Sequence, residues 1–396
     1  MGVYLDHAAT TPVRPEVVAV VAAQLRSLGN PSSLHAAGRA ARKSVEESRE
    51  RVADALGARP GEVVFTSGGT EADNLAVKGL FWSRRSADPA RVRVIVCAVE
   101  HHAVLEAVQW LGEVQGATVE WLPVDGHGRV DTGALRSALA QDAASVALVT
   151  VMWANNEVGT LQPVHEVVAA ARPYGIPVHS DAVQAVGQVP VDFGASGLAA
   201  MSVSGHKVGG PMGVGALLVR PDVELVPVLH GGGQERDVRS GTVDVAGAAG
   251  FAESVVTATE ARAAEARRLA GLRHDLVRAV QAAVPDAVLN GEPTAAGGLP
   301  GNAHFSFPGC EGDSLLLLLD GAGIECSTGS ACSAGVSQPS HVLAAMGVPA
   351  DLARGSLRFT LGHTSTAVDI EALAAVIGPV VKRARAASAA ERRRDG

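Results

Sequence analysis

A lone lysine sits among small residues in Ser202-Val203-Ser204-Gly205-His206-Lys207-Val208-Gly209-Gly210. An amine in such a loop becomes a Schiff-base former once burial or a neighbouring cation depresses its pKa, and small neighbours let a flat cofactor approach the backbone. A surface lysine in a hairpin would carry the same residues. Asp181, in Ser180-Asp181-Ala182-Val183-Gln184, follows a β-like run directly. A carboxylate at the carboxyl end of a parallel strand can pair with a protonated heteroaromatic nitrogen, the partner that pyridoxal phosphate needs to act as an electron sink. Gln184 reaches the same ligand. In isolation Asp181 also reads as a helix N-cap. Thr66-Ser67-Gly68-Gly69-Thr70-Glu71 is a strand–glycine–helix junction, whose backbone N–H groups and hydroxyls can cup a phosphate. It is neither a Walker loop nor a dinucleotide fingerprint.

Cys332 lies in Ser327-Thr328-Gly329-Ser330-Ala331-Cys332-Ser333-Ala334-Gly335, with no bulky neighbour to pack against. That suits an exposed, mobile thiol activated by a lowered pKa or a nearby base, the alternative being a buried structural cysteine. Cys326 and Cys310 stand at no zinc-knuckle spacing from it, no Cys-x-x-Cys occurs, and no metal site is expected. Cys97 and Cys310 read as structural. Arg358, inside the strand-like run Arg354–Thr360, wants a substrate carboxylate or an internal salt bridge. In Glu100-His101-His102 the adjacent rings point different ways, so they form no two-histidine metal face. His101 can stack on a flat ring and shuttle protons, or be a satisfied structural histidine. Asn155-Asn156-Glu157 follow another strand of the same sheet.

These residues need a scaffold, and short apolar runs alternating with helical patterns supply one. Strands are expected at Glu62–Phe65, Val92–Ala98, Thr118–Leu122, Val146–Met152, Ile176–Ser180 and Leu198–Val203, with helices at Asp131–Leu139 and Val164–Ala171 among others. The alternation predicts βαβ units and a mainly parallel sheet, and runs that are apolar throughout predict that both faces are covered. The pattern changes after Gly231-Gly232-Gly233. A long Ala/Glu/Arg helix over 246–283 follows, then a linker at Gly291–Gly301 and strands Ala303–Phe307 and Ser356–Thr360. The expected division is an N-terminal segment 1–14 packing with the small domain, a large cofactor-binding domain 15–261, a small C-terminal α+β domain 262–385 carrying the Cys332 loop, and a frayed tail 386–396.

With 47% hydrophobic residues a sizeable core is available, and 3% aromatics means Val, Leu, Ala and Ile fill it. A net charge of −8 makes nucleic acid a poor main partner. Four cysteines form no disulfide framework and fit a reducing compartment. No leader pattern opens the chain. No apolar stretch approaches about 18 uncharged residues, so no membrane span is expected. The expectation is a cytoplasmic protein.

Taken together and in order, these segments resemble the cysteine desulfurases of the NifS/IscS type, within the class V, fold-type I pyridoxal-phosphate enzymes. The resemblance runs from Tyr4-Leu5-Asp6-His7-Ala8-Ala9-Thr10-Thr11 and Gly29-Asn30-Pro31-Ser32-Ser33 to Arg239-Ser240-Gly241-Thr242, Gly329-Ser330-Ala331-Cys332 and Arg358-Phe359. It implies a large domain with a seven-stranded-type sheet. It implies pyridoxal 5'-phosphate joined to Lys207, with Asp181 on the ring nitrogen, Gln184 on the ring hydroxyl and His101 on the ring face. Gly69, Thr70, Ser204 and His206 would hold the phosphate, completed by Thr242 of a second subunit in a homodimer. Arg358 and Asn156 would grip the carboxylate of L-cysteine.

The implied reaction is desulfuration: Lys207 moves the α-proton, the Cys332 thiolate takes the sulfur as a persulfide, and L-alanine leaves. His101 is the candidate for managing the thiol proton. The sulfur then passes to an acceptor, such as an iron–sulfur scaffold or a thiolation enzyme. Alternatives are another class V enzyme (an aminotransferase or selenocysteine lyase) and a non-catalytic subunit that docks sulfur acceptors. Two positions depart from the pattern. His363 stands where many relatives have Arg, and Cys326 could resolve a persulfide or simply pack.

Overall fold

A computed structural model describes residues 2–294, 296–328 and 340–395. Its centre is a seven-stranded sheet in the order Val63–Thr66, Gly215–Val219, Ala200–Ser204, Val178–Asp181, Val146–Thr150, Arg93–Cys97, Thr118–Leu122. Gly215–Val219 runs antiparallel to both neighbours and the other pairings are parallel. Side chains alternate across a strand, and here both sets are apolar. Ile95 and Cys97 enter the core on one face, while Val94 and Val96 enter a separate cluster with Leu80, Phe81, Val104 and Leu111 on the other. That double burial is why these strands read as continuous apolar runs.

Local signals place the helices. Helix Thr132–Asp142 starts at Asp131, whose carboxylate accepts the N–H groups of Gly133 at 2.7 Å and Ala134 at 3.0 Å. Helix His102–Gln115 ends on Gly116 at φ +68°, the left-handed conformation that glycine adopts without a Cβ penalty.

A second, antiparallel sheet holds Ser356–Thr360, Asn302–Ser306 and Val288–Asn290. Its core gathers Phe305, Phe307, Leu315, Leu357, Phe359 and Ile377, together with Leu5 from the N-terminal segment. Val3–Tyr4 pairs in parallel with Ile324–Glu325. The 39-residue helix Val245–Ala283 joins the two cores. Phe251 and Val255 belong to the first core, and Leu269, Leu276 and Val280 to the second. The expected division at 261/262 therefore falls inside one continuous helix.

Two further details differ from the sequence expectation. The Gly291–Gly301 linker is stitched to the large sheet's loops, with Leu161 N–H donating to Gly297 O at 2.9 Å and Leu299 N–H to Gly159 O at 2.8 Å. Residues 386–395, expected to fray, continue the helix Ala367–Asp395. Ala, Glu and Arg are strong helix formers, so a tail of that composition extends a helix already anchored upstream. No described helix is long and apolar enough to cross a membrane.

Candidate active site

The carboxyl ends of the parallel strands bring most of the singled-out residues together. Strand Ala200–Ser204 leads into a single 3-10 turn, Gly205–Lys207, before the chain returns as Gly215–Val219. Lys207 is thus in the connection of an antiparallel hairpin. Its amine is turned under the N-terminal segment, donating to Ala8 O and Ala9 O, both at 2.6 Å. Thr11 N–H to His206 O at 3.1 Å and Arg14 N–H to Gly209 O at 3.0 Å fasten that segment over the loop.

Asp181 ends the adjacent strand, opposite Ser202 in register. No helix follows, so it is not an N-cap. Its Oδ1 instead accepts Val183 N–H at 2.8 Å. Burial pushes the carboxyl up to about 6, with the Lys207 ammonium pulling the other way. Gln184 Nε2 donates to Ala8 O at 2.9 Å, the carbonyl that Lys207 also uses.

Strand Val63–Thr66 turns through Gly68 into helix Gly69–Ala87. A Cβ on Gly69 would stand 2.8 Å from Val183 Cγ2 and 3.6 Å from Ser204 Cβ. The free N–H groups of this helix start therefore open beside Ser204 and the Asp181 turn, at a distance only glycine allows. Glu71 braces the turn, accepting Ser67 N–H at 2.6 Å and pairing with Arg239 at 2.8 Å. Thr70 and Thr242 are solvent-exposed. Among the described residues no hydrogen bond joins Thr242 to this group.

His101 caps helix His102–Gln115, its Nδ1 accepting Ala103 N–H at 3.2 Å, which leaves the ring proton on Nε2. Burial, then the charge of Lys207, holds it down at about 4, so the ring is neutral near pH 7. His206, 3.3 Å from Thr10 Oγ1 through Nδ1, is held at about 4 by the same two causes in the same order.

Arg358 lies in strand Ser356–Thr360 and realises the salt-bridge alternative. Nη2 donates to Asp6 Oδ1 at 2.7 Å and Nη1 to Asn156 O at 2.8 Å, while Nε is buried with no hydrogen bond among the described residues. Asn155 is internal scaffolding: its Nδ2 donates to Val99 O, and its Oδ1 accepts Glu157 and Val158 N–H.

Cys332 lies outside the described residues. The chain before it is tied to Arg358 by Arg358 N–H to Ser327 O at 2.7 Å, and the chain after it by Ser340 Oγ–H to Glu157 Oε2 at 2.5 Å. Cys326 is buried in the small core, which pushes its thiol up to about 12. Cys97 and Cys310 are buried too, with thiols displaced upward. The described residues contain no cluster of His, Cys, Asp and Glu able to hold a metal.

Comparison with known proteins decides what this arrangement belongs to. The family described as "Aminotransferase class-V" matches residues 3–373. An "IscS-like cysteine desulfurase" of Mycobacterium tuberculosis is 59% identical over 98% of both chains. The chain belongs to the cysteine desulfurases of the class-V aminotransferase family. A "Cysteine desulfurase IscS" of Dictyoglomus turgidum is 44% identical, covering 98% of this chain and 96% of its own. A solved structure titled "NIFS-LIKE PROTEIN" superposes with a TM-score of 0.89 at 34% identity, over 97% of this desulfurase chain and 100% of its own. Residue-by-residue reading of the sequence missed two features of the desulfurase site. Asp6 was visible only as part of an N-terminal motif, and nothing local marked it as the partner of Arg358. Asp73 and Glu100 sat in helix and loop patterns with no sign that both carboxyls are buried.

Proposed function

We propose that this chain releases sulfur from L-cysteine with pyridoxal 5'-phosphate, leaving a persulfide on Cys332 and freeing L-alanine. The observation that carries the proposal is the placement of Lys207 and Asp181 at the ends of adjacent strands, beside the glycine-only helix start at Gly69. These residues fit the cofactor. A buried carboxyl at a strand end suits a pyridinium N–H, and the helix start at Gly69, close against Val183 and Ser204, suits a phosphate. When bound, the cofactor links its aldehyde to an amine and draws electrons from the neighbouring carbon into its ring.

Gly69, Thr70, Ser204 and His206 would hold the phosphate, and Thr242 from a second copy of the chain would complete the cup. The exposure of Thr242 supports that homodimeric arrangement. Asp181 would pair with the ring nitrogen, Gln184 with the ring hydroxyl, and His101 would stack on the ring. Arg358, fixed by Asp6 and Asn156 O, offers its buried Nε–H toward the substrate carboxylate, with Asn156 beside it. The Lys207 amine, held beneath Ala8 and Ala9, takes the α-proton at Nζ. The Cys332 thiolate then forms an S–S bond to the substrate sulfur as the C–S bond breaks, and protons return to the carbon skeleton, which leaves as alanine. His101, neutral with its proton on Nε2, manages the thiol proton by donating that N–H to the sulfur as the thiolate forms. The persulfide sulfur passes to an acceptor protein, such as an iron–sulfur scaffold.

The test is incubation of the purified chain with L-cysteine, with alanine and sulfide measured together and the Cys332 peptide weighed. Alanine matched by one added sulfur on Cys332 is expected. Alanine without sulfur on that peptide, or turnover that demands a keto acid, overturns the proposal.

A further inference from the structure

Asp181 shares its surroundings with two further carboxyl groups. Glu100 is 0% exposed and Asp73 is 1% exposed. Glu100 comes from the turn before His101 and Asp73 from the second turn of helix Gly69–Ala87. Glu100 Oε1 accepts Met152 N–H at 2.6 Å, whereas Oε2 is buried with no hydrogen bond among the described residues. Asp73 hydrogen-bonds with Ser202, but its Oδ1 is also buried without one, with His179 Nε2 3.6 Å away. That histidine is occupied by Thr150 Oγ1 at 2.9 Å and Ser202 Oγ at 3.0 Å, and burial holds it neutral at about 3. No described Lys or Arg pairs with either acid.

A carboxylate sealed away from water without a cation forfeits its hydration, and carboxyl groups sharing one buried site cannot all ionise. Burial pushes Asp73 and Glu100 well above the carboxylate range, and the nearby Asp181 adds to it. A hydrogen bond draws each of the three toward the charged form, Ser202 for Asp73, Met152 N–H for Glu100 and Val183 N–H for Asp181, and Asp181 is the exception in also facing the Lys207 ammonium.

We propose that Asp73 and Glu100 are neutral carboxylic acids and act as positioning residues, leaving Asp181 the single negative charge under the ring-nitrogen position. The role of Asp181 rests on the function proposed above; the neutrality of the other two rests on their burial, an unbonded oxygen on each and the lack of a described Lys or Arg beside them.

The test is infrared difference spectroscopy of the full chain, with and without pyridoxal phosphate, for the wild type, Glu100→Gln and Asp73→Asn. Each substitution is expected to remove one protonated-carboxyl carbonyl band in both forms. Each should also move the pH midpoint of the visible cofactor band by less than about half a unit, because no charge is lost. A wild type without such a band overturns the proposal. So does a midpoint shift of about one unit or more in either variant, the signature of deleting a true carboxylate. If one variant does not fold, the other decides by the same readouts. If no visible band forms at all, the cofactor assignment fails, while the bands of the cofactor-free protein still decide the two acids.

Discussion

The carboxylate of Asp6 clasps the guanidinium of Arg358 at 2.7 Å across 352 positions of the chain. One partner lies within the N-terminal segment, and the other in the small antiparallel sheet. With Asn156 O holding Nη1, the clasp fixes the plane of the guanidinium and the direction of its remaining N–H groups. Substitution Asp6→Asn is expected to raise KM for L-cysteine about tenfold, roughly 1.4 kcal/mol of lost binding, with a smaller change in kcat. Steady-state kinetics check this, and an unchanged KM would remove Asp6 from the account of substrate binding.

Lys207 is expected to be the point of covalent cofactor attachment. Borohydride treatment of the wild type should leave pyridoxyl mass on the Lys207 peptide, and Lys207→Ala should carry none there. Turnover of the variant should fall at least about a thousandfold, since both the amine and the base are gone. Label appearing on another lysine of the wild type would move the site elsewhere.

The two cysteines near the small sheet should separate cleanly. Cys332→Ser keeps cofactor colour but forms no persulfide. In Cys326→Ser the persulfide still forms on Cys332, because the Cys326 thiol is buried in the small core. Its cost is stability, about 1–3 kcal/mol for burying a hydroxyl in place of a thiol, read by denaturant unfolding. Loss of the Cys332 persulfide in that variant would make Cys326 a participant.

His304, opposite Arg358 in the small sheet, offers a pH test that is read by stability rather than turnover. It is fully buried, paired through Nδ1 with Asn290 Nδ2 at 3.0 Å, and burial lowers it from 6.5 to about 3. The unfolded chain therefore binds a proton that the folded chain refuses. This contribution is whole above about pH 6.5 and is lost as pH falls toward 3, at about 1.4 kcal/mol per unit. His304→Asn should show a correspondingly shallower acid slope between about pH 6 and 4, measured by denaturation at each pH. Coincident slopes would show that His304 does not enter folding as the neutral ring.

The strand ends were legible because they are local facts. An apolar run that stops at Ser180-Asp181 or before Ser204-Gly205-His206-Lys207 marks where a parallel strand delivers its residues, and covered sheet faces made those runs unbroken. The strand–glycine–helix junction at Thr66–Glu71 and the helix beginning near Asp131 were visible for the same reason, since both depend on a few neighbouring residues. Several contacts depend on which remote segments meet. Examples are the Ala8 and Ala9 carbonyls over Lys207, the Asp6–Arg358 clasp, the burial of Asp73 and Glu100 beside Asp181, and the helix Val245–Ala283 shared by two cores. Backbone periodicity is written residue by residue. The partner of a charge, and whether water reaches it, follow only from packing, so the sequence determined the kind of scaffold and the chemistry-bearing residues, and the tertiary structure decided their partners and their protons.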